Sequence, residues 1–195
     1  MARLLITSVS GPAGPGLYWE MITTGRYVET LVYTILLSTG VTGATLLVSG
    51  VAGVFLQRNR FRGRQLLVAL LTFPLAFPGV VVGFMIILLA GRQGLIGDVT
   101  KVLTGSKVVL AYSMTGLFLG YLYFSIPRVL TTIMAAAEKI DPSLEEAARS
   151  LGASTWAVTK DVIIPSLMPG LISSGAICFA TAMGAFGTAF TLATR

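Results

Sequence analysis

The residues of this chain whose types and spacing could do work stand in one stretch. Glu145, Glu146, Ala147 and Ala148 are followed after three residues by Gly152, and after nine more by Val162, Ile164 and Pro165. The work open to them is mechanical. Two carboxylates beside a pair of very small side chains make a face that a partner can approach closely. They do not make a nucleophile with its base. The chain has no histidine, which excludes a Ser-His or Cys-His pair and any histidine-ligated metal. Its one cysteine, Cys178, allows no intrachain disulfide and no thiolate cluster. No G-x-x-x-x-G-K-[ST] segment occurs, so no nucleotide-binding loop of that kind is present. No catalytic residue, metal or cofactor is expected.

The element that must carry these residues is legible from its ends. Asp141 is a good N-cap and Pro142 suits the first helical position. Glu145 and Glu146 lie near the positive end of the helix dipole. Leu144, Ala147, Ala148 and Leu151 follow an i, i+3, i+4, i+7 spacing and define one small apolar face. Gly152 can take the left-handed conformation that ends a helix. The pattern predicts a short amphipathic helix over 141–151, lying parallel to a membrane. A second short segment over 154–161 then leads back into the bilayer.

Composition supplies the membrane. Of 195 residues 54% are hydrophobic and only 11% are charged, and the mean hydropathy is +0.84. A soluble globule averages roughly 25% charged residues and needs them to cover its surface. The net charge of +6 is placed between apolar stretches, which reads as membrane flanks rather than as a nucleic-acid surface. Four stretches carry no charge at all: 30–56, 66–90, 108–127 and 162–194. Each exceeds or matches the roughly 20 residues that a helix needs to cross a ~30 Å hydrocarbon core. The expected fold is all-α, a polytopic transmembrane helix bundle with four spans and a short cytoplasmic helix. In the last stretch Pro165 and Pro169 predict that the spanning helix begins near Met168.

Positive charge orients the bundle. Segment 57–64 holds four arginines, and 128–161 adds Arg128, Lys139, Arg149 and Lys160. The opposite side has Arg3, Arg26, Arg92, Lys101 and Lys107. Segments 57–64 and 128–161 are therefore placed in the cytoplasm, and 1–26 is read as an external segment with an interfacial turn around Tyr18 and Trp19. Gly79/Gly83 and Gly116/Gly120 have the G-x-x-x-G spacing that lets helices pack closely. Pro74 and Pro78 should bend the second span, and with Gly79 they are a candidate gate or path lining.

The stretch 146–165 resembles the EAA loop of ABC importer permeases, whose pattern is E-A-A-x3-G-x9-I-x-L-P. Glu146, Ala147, Ala148, Gly152 and Pro165 match outright, and Val162 and Ile164 stand for the isoleucine and leucine. The resemblance covers roughly 27–195, which reads as an ABC transporter transmembrane domain. It implies a multi-pass permease of the cell inner membrane, paired with a second permease subunit, identical or not. It also implies cytoplasmic ABC ATPase subunits that hydrolyse the ATP, and an extracytoplasmic solute-binding protein. Glu145, Glu146, Ala147, Ala148, Gly152 and Pro165 are the implied coupling residues. Among them Glu146 is the polar contact to the ATPase, the alanines the docking face, and Gly152 the turn.

Members of that family usually have six spans, so the first and last family helices are expected to be missing here. Segments 72–83 and 184–189 are similar to permeases of the polyamine, ferric-ion, sulfate and thiamine group, which makes a small polar solute of polyamine type the favoured cargo. The charge-free spans offer no acid to hold a polycation, so selectivity would rest largely with the binding protein. Two other classes compete. A secondary transporter or channel usually buries ionisable groups in its spans, and the four stretches have none. A structural membrane subunit with no ATPase partner would keep the helix without its coupling role.

Overall fold

The computed structural model describes residues 25–107 and 109–184. The expected turn at Tyr18 and Trp19, and the segment after Gly184, lie outside them. Every regular element among the described residues is helical. Four helical segments are long and apolar enough to cross a membrane: Tyr27–Arg58, Gly79–Val102, Met114–Glu138 and Thr155–Met183.

Helix α1 (Gly25–Arg58) runs 34 residues, about 50 Å at 1.5 Å per residue. Helix α5 (Met114–Glu138) packs along it, and α8 (Ile164–Met183) closes a three-helix core on both. Val129 and Ile133 of α5 meet Cys178 of α8 between Leu46, Val54 and Leu171. Higher in the bundle Val41 and Tyr121 meet Ala182. The backbones approach closely where glycine faces a neighbour. A Cβ on Gly170 would stand 2.8 Å from the Ala136 methyl, and one on Gly53 2.9 Å from Ile133. Gly116 and Gly120 are both buried in α5, and a Cβ on Gly116 would collide with the carbonyls of Leu110 and Ala111 in the preceding turn. The outside of the bundle stays apolar: Leu36, Leu47, Val51, Leu70 and Leu88 are exposed. Such a surface suits lipid or another membrane subunit and not water.

Three expectations are corrected. Stretch 66–90 is not one bent helix. It breaks into α2 (Arg64–Thr72), a 3-10 turn (Phe73–Ala76) and α3 (Gly79–Ala90), because Pro74 and Pro78 remove two backbone donors within five residues. After a turn the chain continues as α4 (Leu95–Thr104). The amides of Leu110 and Ala111 then close back on the Ala90 carbonyl, at 3.0 and 3.1 Å.

The third span does not stop at Pro127. Helix α5 continues eleven residues beyond it, with Pro127 buried, so Arg128 lies inside the helix instead of in the following loop. A neighbouring hydroxyl supports the backbone there: Ser49 Oγ of α1 donates to the Ile126 carbonyl at 3.1 Å.

The last span does not begin near Met168. After α6 (Pro142–Ser150), helix α7 (Thr155–Val158) passes through a π turn (Thr159–Ile163) directly into α8, which contains both prolines. Pro165 has no N–H to give the carbonyl four residues back, and its ring crowds that carbonyl. The wider π turn, in which Ile164 N–H bonds the Thr159 carbonyl, accommodates it.

Candidate functional site

Helix α6 forms where its caps place it. The Asp141 carboxylate accepts the Ser143 N–H at 2.9 Å, and this backbone bond, assisted by the Ser143 hydroxyl, holds the Asp141 carboxyl below its ordinary range. Pro142 occupies the first turn, Glu145 follows in it, and Arg149 lies in the last turn, each on the side of the dipole that suits its charge. At the far end Gly152 has φ +83. Its N–H bonds the Arg149 carbonyl at 2.9 Å, and the Ala153 N–H bonds the Ala148 carbonyl at 3.0 Å. These are the paired bonds of a Schellman ending, in which glycine supplies the left-handed residue at no steric cost.

The four apolar residues expected to share one docking face do not. Ala148 is half-buried and packs with Ala153 against Ala137, Val158, Ile163 and Leu167. Leu144, Ala147 and Leu151 remain exposed, Leu151 at 90%. The bundle takes up one edge of the stripe and leaves the other to solvent.

The two glutamates part in the same way. The Glu145 side chain is 18% exposed and meets the Arg58 guanidinium, itself 28% exposed, with both oxygens. Arg58 Nη1 donates to Glu145 Oε2 at 2.7 Å, while Nη2 pairs with Oε1. This two-pronged contact ties α6 to the last residue of α1. Glu146 is exposed. Beside it an open cleft of about 450 Å³ runs between α6 and the ends of α1 and α5, with Gln57, Glu138 and Arg149 on its walls. The arginine-rich turn after α1 is at this same end. Arg64 closes it by donating to the Leu56 carbonyl and, at 2.9 Å, to Gln57 Oε1.

The structure therefore gathers Glu145, Glu146, Ala147, Ala148 and Gly152 on one short helix and its ending. Pro165 lies apart, in the first turn of α8. Pro74, Pro78 and Gly79 lie in the broken segment, where the 3-10 turn packs on α5. Pro74 is buried, Pro78 caps α3 and Gly79 opens it.

Two residues with roles in this geometry escaped sequence reasoning. Arg58 counted there only as one of a block of positive charges, and nothing local points across 87 positions to Glu145. Arg128 falls where the charge pattern alone reads a cytoplasmic loop. Its sign was the apolar run Val129, Leu130, Ile133 and Ala137, which continues the helical pattern past the proline. Its guanidinium lies 4.7 Å from the centroid of the Phe124 ring.

A family profile described as binding-protein-dependent transport system inner membrane component matches residues 46–194. The molybdenum transport system permease protein ModB of Escherichia coli K12 is 35% identical over 161 residues, covering 80% of this chain and 69% of that protein. The sulfate transport system permease protein CysT of the same strain is 34% identical over 180 residues, covering 90% and 62%. The chloroplastic sulfate permease 2 of Chlamydomonas reinhardtii is 39% identical over 137 residues, covering 70% and 36%. These relatives are named as permeases, not as enzymes. A crystal structure of a bacterial ABC transporter involved in importing the acidic polysaccharide alginate shares the fold. Its TM-score is 0.73 at 14% identity, over 95% of this chain and 68% of that one.

Proposed function

The chain belongs to the family of binding-protein-dependent transport system inner membrane components and is a transmembrane ABC transporter permease, and from that membership we propose that it carries a tetrahedral oxyanion of the sulfate or molybdate kind. The observation that carries the substrate class is the naming of the relatives, which are molybdenum and sulfate permeases. At neutral pH both elements travel in water as tetrahedral dianions. The polyamine preference finds no support in those names, and no acid lies in the charge-free stretches 30–56, 66–90, 108–127 and 162–194 to favour a polycation.

In this reading residues 27–195 form the transmembrane domain, 1–26 lie outside, and the protein resides in the inner membrane. A binding protein delivers the anion, a second permease subunit completes the path, and two cytoplasmic ATPase subunits drive it. Helix α6 is the lever. Glu146, Ala147 and the exposed leucines face the ATPase. Glu145, Ala148 and Gly152 fix the helix to its own bundle, and Pro165 ends the connection at the membrane. The break at Pro74, Pro78 and Gly79 lines the path or its gate.

The test is reconstitution of the full-length permease with its ATPase and binding protein in liposomes loaded with ATP. Labelled molybdate or sulfate should accumulate inside, and should not when ATP is omitted. Accumulation of putrescine in place of either anion would overturn the substrate. Failure of the purified permease to hold an ATPase would leave a structural membrane subunit.

A further inference from the structure

Arg128 is a charge inside a membrane helix. It stands ten residues, roughly 15 Å of helix, before Glu138 at the end of α5. Helical side chains lean toward the N-terminus of their helix. Arg128 does so, with its guanidinium over Phe124, one turn farther from the α6 end of the bundle. It therefore does not reach back toward the near surface, as a membrane-flanking arginine does. The ion pairs among the described residues are Arg58–Glu145 and Lys107–Asp98, so no carboxylate there neutralises it. The face of the ring offsets part of its cost.

Its position on the helix is equally specific. Tyr121, Ser125, Val129 and Ile133 form the buried stripe, and Val129 and Ile133 pack between α1 and α8. Phe124, Arg128, Thr131 and Ala135 form a neighbouring stripe that is half-buried or open. An uncompensated arginine facing hydrocarbon is costly, and such residues face a bundle interior or a wet cavity instead. The Arg128 stripe then suits a wet or subunit-covered surface and not lipid, and a translocation path is such a surface.

Resting on the oxyanion reading above, we propose that Arg128 contacts the anion in transit, presenting two parallel N–H donors to two oxygens of the tetrahedral dianion. The planar fork matches that geometry, which a lysine ammonium does not. One cation against two negative charges attracts the anion without neutralising it, and a transit site must also release what it binds. The same charge repels a polyamine.

The experiment uses the full-length permease reconstituted with its ATPase and binding protein. Arg128→Gln should lower the oxyanion accumulated per ATP hydrolysed by about tenfold, the scale of one lost charge-assisted contact, while binding-protein-stimulated hydrolysis persists. Arg128→Lys should recover part of the loss. Arg128→Cys in a Cys178→Ala background provides a chemical switch that does not depend on how the glutamine variant folds. Aminoethyl methanethiosulfonate, which restores a positive charge, should raise transport, and neutral methyl methanethiosulfonate should not. Equal effects of the two reagents, or unchanged anion per ATP in Arg128→Gln, would overturn the assignment while leaving the oxyanion function standing. A wild-type protein that hydrolyses ATP and accumulates neither sulfate nor molybdate would overturn both.

Discussion

Arg58 and Glu145 show what neighbouring residues of one type can conceal. The Glu145 carboxylate has lost most of its water, and two donors of one guanidinium replace it. Glu146, one position on, keeps its water. Exposed ion pairs contribute about 0–1 kcal/mol, whereas stripping a buried pair of one partner costs about 3–5 kcal/mol. At 18% and 28% exposure this pair falls between those limits. Arg58→Ala and Glu145→Ala should each lower the thermal unfolding midpoint of the detergent-purified permease, by about 1–2 kcal/mol in stability. Arg58→Glu and Glu145→Arg should each do the same, and the two combined should restore most of it. Glu146→Ala should leave the midpoint in place. Equal melting shifts for the two glutamates would remove the distinction. Sequence alone could identify the pair of acids and their favourable place on the dipole. Which of them turns inward depends on an arginine at the end of a different span.

At the scale of elements, what was legible is what is local. The Asp141 cap, the proline in the first turn and the Gly152 ending are each set within a few residues, and α6 forms where they place it. What was not legible is what a distant group makes tolerable. Pro127 reads as a stop because it removes a donor, yet α5 runs on through it, with Pro127 buried in the bundle and Ser49 of another helix donating to the adjoining Ile126 carbonyl. Pro165 reads as a boundary, and a π turn absorbs it instead. The divided face of α6 yields a contrast between adjacent alanines. Ala148→Leu places three extra carbons into the packing around Ala137, Val158 and Leu167, and overpacking of this kind costs about 1–3 kcal/mol. The permease should melt earlier even without its ATPase. Ala147→Leu lies on the open side, so it should leave melting unchanged and weaken ATPase binding in a pull-down titration. If Ala148→Leu melts normally, the inward packing is wrong.

At the scale of the molecule, the arginine turn after α1 and helix α6 occupy one end of the bundle, joined by Arg58 and Glu145. They must therefore share one side of the membrane, and the density of arginines predicts that this side is the cytoplasm. Cys178 is 1% exposed, so added thiols can be read against a quiet background. In intact cells an impermeant maleimide should label Ser106→Cys and spare Asn59→Cys until the cells are opened. The reverse pattern would invert the protein. The short helix α7, which packs on α6, has one more consequence. Trp156 stands on it 71% exposed, and the chain has only one other indole, Trp19. An indole in water emits at longer wavelength than one covered by protein. With Trp19→Phe in place, the colour of Trp156 emission becomes a native optical gauge of whether a partner covers this end of the permease, readable during turnover and without an attached dye.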